Sequence, residues 1–221
     1  MRVKLLSFTP NPDLTVYLAA RVCYSRVSVD QLEEEASPEK VRSLINRVVS
    51  SGHHSVLEHA SFTFAVEGIS RVTSHQLVRH RIASYSQQSL RWVSAEGIDV
   101  VIPPSIREVP EALGIFNDIV SKSKEAYKKL IGLGIPKEDA RFIIPHGVST
   151  RMIFTMNARE LHHFFRLRLC TRAQWEIREL AKMVLMEVRK VAPIIFEKAG
   201  PPCITEGRCF EEKPCDNPPS I

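Results

Sequence analysis

Hydrophobic positions along the chain switch repeatedly between strand-like and helix-like spacing. VKLLSF at 3–8 is a short apolar run closed by Pro10 and Pro12, which stop a sheet, with Asp13 placed to cap a helix. From Leu14 to Ser25, and again from Val41 to Val49, apolar residues recur at helical spacing. SGHHSVLEH at 51–59 breaks that pattern. Phe62, Phe64 and Val66 then alternate with Ser61, Thr63 and Ala65, a half-buried strand ending at Gly68. Helical spacing resumes from Ser70 to about Arg81, and residues 82–91 keep no period and read as a loop. DVVIPPS at 99–105 predicts a short strand stopped by two prolines, and Val109–Leu133 a long amphipathic helix. IPKEDARFII at 135–144 predicts a further helix with Pro136 at its first position. TRMIFTMN at 150–157 is a strand, after which Asn157 and Glu160 are spaced as a capping box. Thr171 and Gln174 repeat that device before a helix running toward Lys198, with Ile177, Leu180, Val184, Val188 and Val191 on its apolar face. Strands and helices are segregated, without βαβ alternation. The pattern predicts one α+β domain over 1–200, with a small, mostly antiparallel sheet packed by helices and the long helices in the C-terminal half.

Composition changes this picture little. With 221 residues, 44% of them apolar, the chain can bury a sizeable core. Its apolar runs fall far short of the roughly 20 residues of a spanning helix, and MRVKLLSFTP is too short-cored for a signal peptide, so a cytoplasmic protein away from membranes is expected. A net charge of +5 favours anionic partners. Residues 201–221 hold five of the fourteen prolines and three of the five cysteines, and form a separate tail. Cys23 and Cys170 stand alone and are expected to be buried or inert. Cys203, Cys209 and Cys215 leave one position of a tetrahedral metal site unfilled. The expectation is a solvated tail with no metal, and a metal clip is the alternative.

Three clusters carry candidate chemistry. In QLVRHRIASYSQQSLRW at 76–92, Arg79, His80 and Arg81 precede Ser84, Ser86 and Ser89, and Arg91 follows. Guanidinium forks beside hydroxyl donors suit a phosphate, although a charged helix end is a complete structural reason for the basic residues. GHHSVLEH, with His53, His54, Glu58 and His59, is open to a metal, a polar ligand wall or a capping role for Ser55 and Glu58. It lacks the H-E-x-x-H order of a zinc protease. In NARELHHFFRLRLCTRAQWEI, Arg159, His162, His163 and Arg166 fall near one helical face, with Arg168 and Arg172 following. Asn157 caps that helix and offers an anion site at its amides, a solvated basic face being the alternative. Arg141 adds one more cation. No Walker loop and no G-x-G-x-x-G occurs, so any nucleotide must be held by side chains and irregular backbone.

The residues Arg79-His80-Arg81, seven residues, then Ser89 and Arg91 resemble the signature of the flavin-dependent thymidylate synthases. GHHSVLEH is similar to that family's G-H-x-[ST]-x-x-E-H segment, and NARELHHFFRLR with AQWEI to its N-x-R and L-R-x-x-x-x-A-Q-W-E block. The three lie in register over about residues 14–199. The resemblance implies conversion of dUMP to dTMP, with methylenetetrahydrofolate as carbon donor and NAD(P)H reducing bound FAD, in homotetramers whose sites are shared between subunits. It implies FAD contacts from Ser55, Arg79, His80, Arg81, Gln87, Asn157, Ala158, Arg159 and His163. It implies dUMP contacts from Gln76, Leu77, Val78, Arg79, Gln87, Gln88, Ser89, Leu90, Arg91, Arg141 and Arg168. His53 and Glu58 would border the flavin and folate region. The resemblance also places Arg168 at the family's catalytic position, where a guanidinium, which does not act as a base, would stabilise uracil as an anion electrostatically. An RNA-binding module using the same arginines on phosphates is the rival reading, weakened by an aromatic content of only 7%.

Overall fold

The computed structural model describes residues 1–97 and 99–219. Four strands form one sheet in the order β1-β2-β4-β3, with β1 at Arg2–Phe8, β2 at Ser61–Ser70, β3 at Ala83–Gln87 and β4 at Ser149–Asn157. β1 and β2 run antiparallel. Thr9 N–H donates to the Ser61 carbonyl at one end, and the Met1 backbone lies beside Gly68 at the other. Alternation buries Phe62, Phe64, Phe154 and Met156 on one face, with Phe64 stacked on Phe154 at 5.0 Å between centroids. On the opposite face the Thr63 and Thr155 hydroxyls meet at 2.9 Å. The α+β expectation, with a small antiparallel sheet, is met.

The helices are α1 (Pro12–Val22), α2 (Val29–Glu34), α3 (Pro38–Ser50), α4 (Arg71–Leu77), α5 (Pro104–Arg107), α6 (Pro110–Gly132), α7 (Lys137–Ala140), α8 (Ala158–Arg168), α9 (Trp175–Val191) and α10 (Pro202–Thr205). Two compact units are distinguished. One comprises Met1–Arg2, Val66–Leu77 and Ser86–Met152; the other comprises Val3–Ala65, Val78–Tyr85 and Ile153–Ile221. The core of the first includes Leu90, Ala95, Tyr127, Ala140 and Val148. In the second, Phe196 meets Phe62 and Phe165 edge-on at 5.5 and 5.8 Å, and α9 buries Ile177, Leu180, Val184 and Val188.

Several local expectations are corrected. Asp13 does not cap α1, whose N-cap is Asn11 in the left-handed region. The Asp13 carboxylate instead accepts from the amides of Ile194 and Ile195, beyond α9. Ser55 does not cap the 3₁₀ turn at His54–His59, whose N-cap is His53, and Gly68 sits inside β2 at φ +72°. α4 stops at Leu77, so Arg79–Arg81 lie beyond the helix and lead into β3, where a loop was expected. Its polar sequence ASYSQ carries no apolar alternation because β3 is an edge strand. DVVIPPS contributes only the bridge Val100–Val148, followed by α5. The 135–144 helix is α7 plus a 3₁₀ turn at Arg141–Ile143, with Pro136 as N-cap. Gln174, not Thr171, caps α9, accepting from the amides of Glu176 and Ile177, and α9 ends at Val191. Helix α2, capped reciprocally by Ser28 and Gln31, was not foreseen. Cys23 is exposed rather than buried.

Candidate functional site

Helix α8 starts where β4 ends. Asn157 Oδ1 accepts from the Glu160 amide at 2.9 Å, and Ala158 N–H donates to the Ala60 carbonyl at 2.8 Å. Two of the first helical amides are therefore occupied, and α8 contributes through its side chains. Leu161, Phe164 and Phe165 are buried, which turns Arg159, His162, His163 and Arg166 toward a cavity of about 840 Å³. Arg79, Arg81, Ile82, Lys198, His54 and Glu206 help to line the same cavity. Its volume suits a sizeable organic ligand. Five cations on its wall suit an anionic one.

Beneath this wall lies a buried polar relay. His80 is 3% exposed; its Nδ1 is 3.1 Å from Glu160 Oε1, and its Nε2 accepts from Arg168 Nε at 3.1 Å. Burial first, then the charges of Arg168 and His163, lower the His80 pKa to about 4. The ring is thus neutral at pH 7, with Nδ1–H donating to the carboxylate. Burial raises the Glu160 pKa, opposed by His163, and also lowers that of Arg168, which stays a cation at neutral pH. Tyr85 Oη donates to the His80 carbonyl at 2.7 Å and fixes the backbone of the segment. His80, Glu160 and His163 bring ligand atoms within 4.8 Å of one another. Both His80 nitrogens are already engaged, and a guanidinium beside Nε2 opposes a cation there.

Residues expected at the site divide as follows. Arg79, Arg81, Arg159 and His163 line the cavity, while His80 and Arg168 form the relay behind it. Ser55 is exposed on the 3₁₀ turn and is not part of the cavity wall; Glu58 pairs with Arg159. Ala158 is buried. Val78 is exposed.

Gln76, Leu77, Gln87, Gln88, Ser89, Leu90, Arg91 and Arg141 belong to the other unit. There Gln87 Nε2 donates to Ser74 Oγ at 3.0 Å and to Thr150 Oγ1 at 3.3 Å. Ser89 Oγ accepts from the Arg91 amide, and Arg91 pairs with Glu138 at 2.7 Å beside a hollow of about 330 Å³. Leu77 and Leu90 are buried and offer a ligand only backbone. Arg71, not singled out from sequence, donates to the Gln88 carbonyl, and its Nε is buried with no hydrogen-bond partner among the described residues. Burial and the nearby charge of Arg141 lower its pKa. The charges of Arg71 and Arg141 thus act on one another. Lys198 and Arg71 were missed because no motif marks them; Tyr85 and Glu160 lie inside the quoted motifs, Glu160 as a cap partner, but only tertiary placement shows that they hold His80.

The family model described as "Thymidylate synthase complementing protein" matches residues 4–194. A flavin-dependent thymidylate synthase from Geobacter sulfurreducens is 52% identical over 213 residues, covering 96% of this chain and 91% of that one. The chain belongs to the flavin-dependent thymidylate synthase family. Relatives so named from Clostridium tetani and Pyrococcus horikoshii are 48% and 49% identical over 227 and 221 residues, each covering 96% of this chain and 91% of the relative. Within this family setting the basic cavity and its relay are the candidate active site, and the similarity lends no support to the RNA-binding alternative.

Proposed function

We propose that the chain converts dUMP to dTMP with methylenetetrahydrofolate as carbon donor and NAD(P)H as reductant, through FAD. The observation that carries this reading is convergence. Arg79 and Arg81 stand far along the chain from Arg159 and His163, yet line one cavity. The five cations and half-apolar wall fit a dinucleotide pyrophosphate and an aromatic ring system. Ser55, Arg79, His80, Arg81, Gln87, Asn157, Ala158, Arg159 and His163 are the proposed FAD residues. Bound FAD would supply the redox chemistry.

For dUMP, the proposed residues are Gln76, Leu77, Val78, Arg79, Gln87, Gln88, Ser89, Leu90, Arg91, Arg141 and Arg168, with Leu77 and Leu90 acting through backbone. Arg141, supported by Arg71, suits the phosphate. Arg168 stabilises negative charge on the pyrimidine, which makes carbon 5 nucleophilic, while His80 and Glu160 hold its guanidinium plane. Exposed Ile115 and Ile119 on α6 are compatible with burial in a homotetramer, which we include in the proposal together with a cytoplasmic location. Among the described residues no helix is long and apolar enough to cross a membrane.

The test is flavin binding to purified protein together with tritium release from [5-³H]dUMP in the presence of methylenetetrahydrofolate and NADPH. Yellow protein and folate-dependent release are expected. Colourless protein after incubation with FAD, without release, overturns the reading.

A further inference from the structure

The tail is not a loose appendage. Cys170 lies in the turn after α8, and the segment holding the other three cysteines is folded against that region. Arg166, four residues before Cys170, pairs with Glu206, three after Cys203, and its guanidinium lies 5.3 Å from the ring centroid of Phe210, next to Cys209. Arg172, two after Cys170, donates to the carbonyl of Lys213, two before Cys215, and is 3.8 Å from the carboxylate of Glu211, two after Cys209. Every tail cysteine is therefore within three residues of a contact to the Cys170 region. All four thiols are half-buried and none is in a disulfide.

We propose that Cys170, Cys203, Cys209 and Cys215 form a structural zinc site that fastens the C-terminal tail to the turn after α8. Three tail cysteines alone cannot complete a tetrahedron; Cys170 supplies the fourth thiolate. A closed set of four thiolates is the ligand set of structural zinc. The Cys203 thiol is already within electrostatic reach of the other three. Its pKa is raised by burial first and then by Cys170, Cys209 and Cys215. Thiols drawn to one place give up their protons to a divalent cation, whose charge stabilises the resulting thiolates.

No three of these sulfurs lie within 4.8 Å of one another, whereas a zinc tetrathiolate needs about 3.8 Å between sulfurs. Zinc uptake therefore draws the tail inward. The site does not rest on the flavin reading, since neither zinc content nor tail protection requires FAD or turnover.

The experiment is metal analysis of the full chain, expressed in zinc-supplemented medium and purified under reducing conditions. One zinc per chain is expected, retained in Cys23→Ser and falling to about a tenth in Cys203→Ser and Cys209→Ser. If those variants do not fold, chelator-treated wild type is titrated with cobalt(II). Thiolate charge-transfer bands and tetrahedral d–d bands on the red side of flavin absorption are expected. Zinc should also slow tryptic cleavage after Arg208 on the order of tenfold in the treated wild type. Absence of zinc and of the cobalt bands overturns the proposal. So do iron with inorganic sulfide, a disulfide among the four cysteines, or cleavage unchanged by zinc.

Discussion

Arg168 is held along one edge by His80, and His80 is held in turn by Glu160. A neutral imidazole suits this position because it accepts from Arg168 on one nitrogen and donates to the carboxylate on the other. A charged ring would have no lone pair for the guanidinium. Arg168→Ala is expected to reduce kcat by about 10² to 10³, with flavin content kept, in a parallel assay of turnover and flavin absorbance. Lost flavin with normal chemistry in the residual holoenzyme would argue against the role. Glu160→Gln keeps an oxygen acceptor for His80, so its kcat should exceed that of Glu160→Ala by about tenfold, with KM for dUMP little changed. Equal losses in both variants would remove Glu160 from the positioning role. The three motifs made His80 and Arg168 legible as residues. Their contact was not legible, because 88 positions separate them.

Elements follow the hydrophobic pattern where one face is buried. α8 and α9 appeared where apolar residues recur at three and four, and β2 and β4 where they alternate. The pattern failed where burial is weak or the partner is remote. β3 is polar because it lies at the sheet edge, and α2 buries only Leu32. Asp13 reads as a cap from its neighbours, yet spends its carboxylate on two amides about 180 residues away. Asp13→Ala should therefore destabilise the fold by about 2 kcal/mol, by urea denaturation, because two amides lose their acceptor. A change below a few tenths would show that water replaces the carboxylate at no cost. Asn157→Ala should cost about 1 kcal/mol through loss of the α8 cap.

Over the whole molecule, buried histidines make stability depend on pH. His162 donates to the Ile195 carbonyl and has its pKa lowered to about 4, chiefly by burial, as does His80. In the unfolded chain both titrate at the ordinary 6.5, so between 6.5 and about 4 the unfolded state binds more protons. Their contribution is complete above 6.5 and is lost as pH falls toward 4. For His162 alone the loss from pH 7 to pH 5 is about 2 kcal/mol. Glu160, whose pKa is raised, acts in the opposite sense: it favours the folded state at acid pH and less so as pH rises through its folded value. Urea melts at the two pH values should show a clear net loss at pH 5, smaller in His162→Gln. A midpoint that does not move would mean that His162 is protonated in the native state.

By itself the sequence determined the α+β class, the strands and helices with one buried face, and, through three motifs in register, the family and its chemistry. Those properties depend on local periodicity and on residue type, which are written along the chain. Only the tertiary structure decided which distant groups meet. It gathered Arg79, Arg81, Arg159 and Arg166 on one cavity, set His80 between Glu160 and Arg168, and laid the cysteine-bearing tail against the end of α8 through Arg166 and Arg172. Such encounters follow from packing and chain closure over tens of residues, and spacing in one dimension does not encode them.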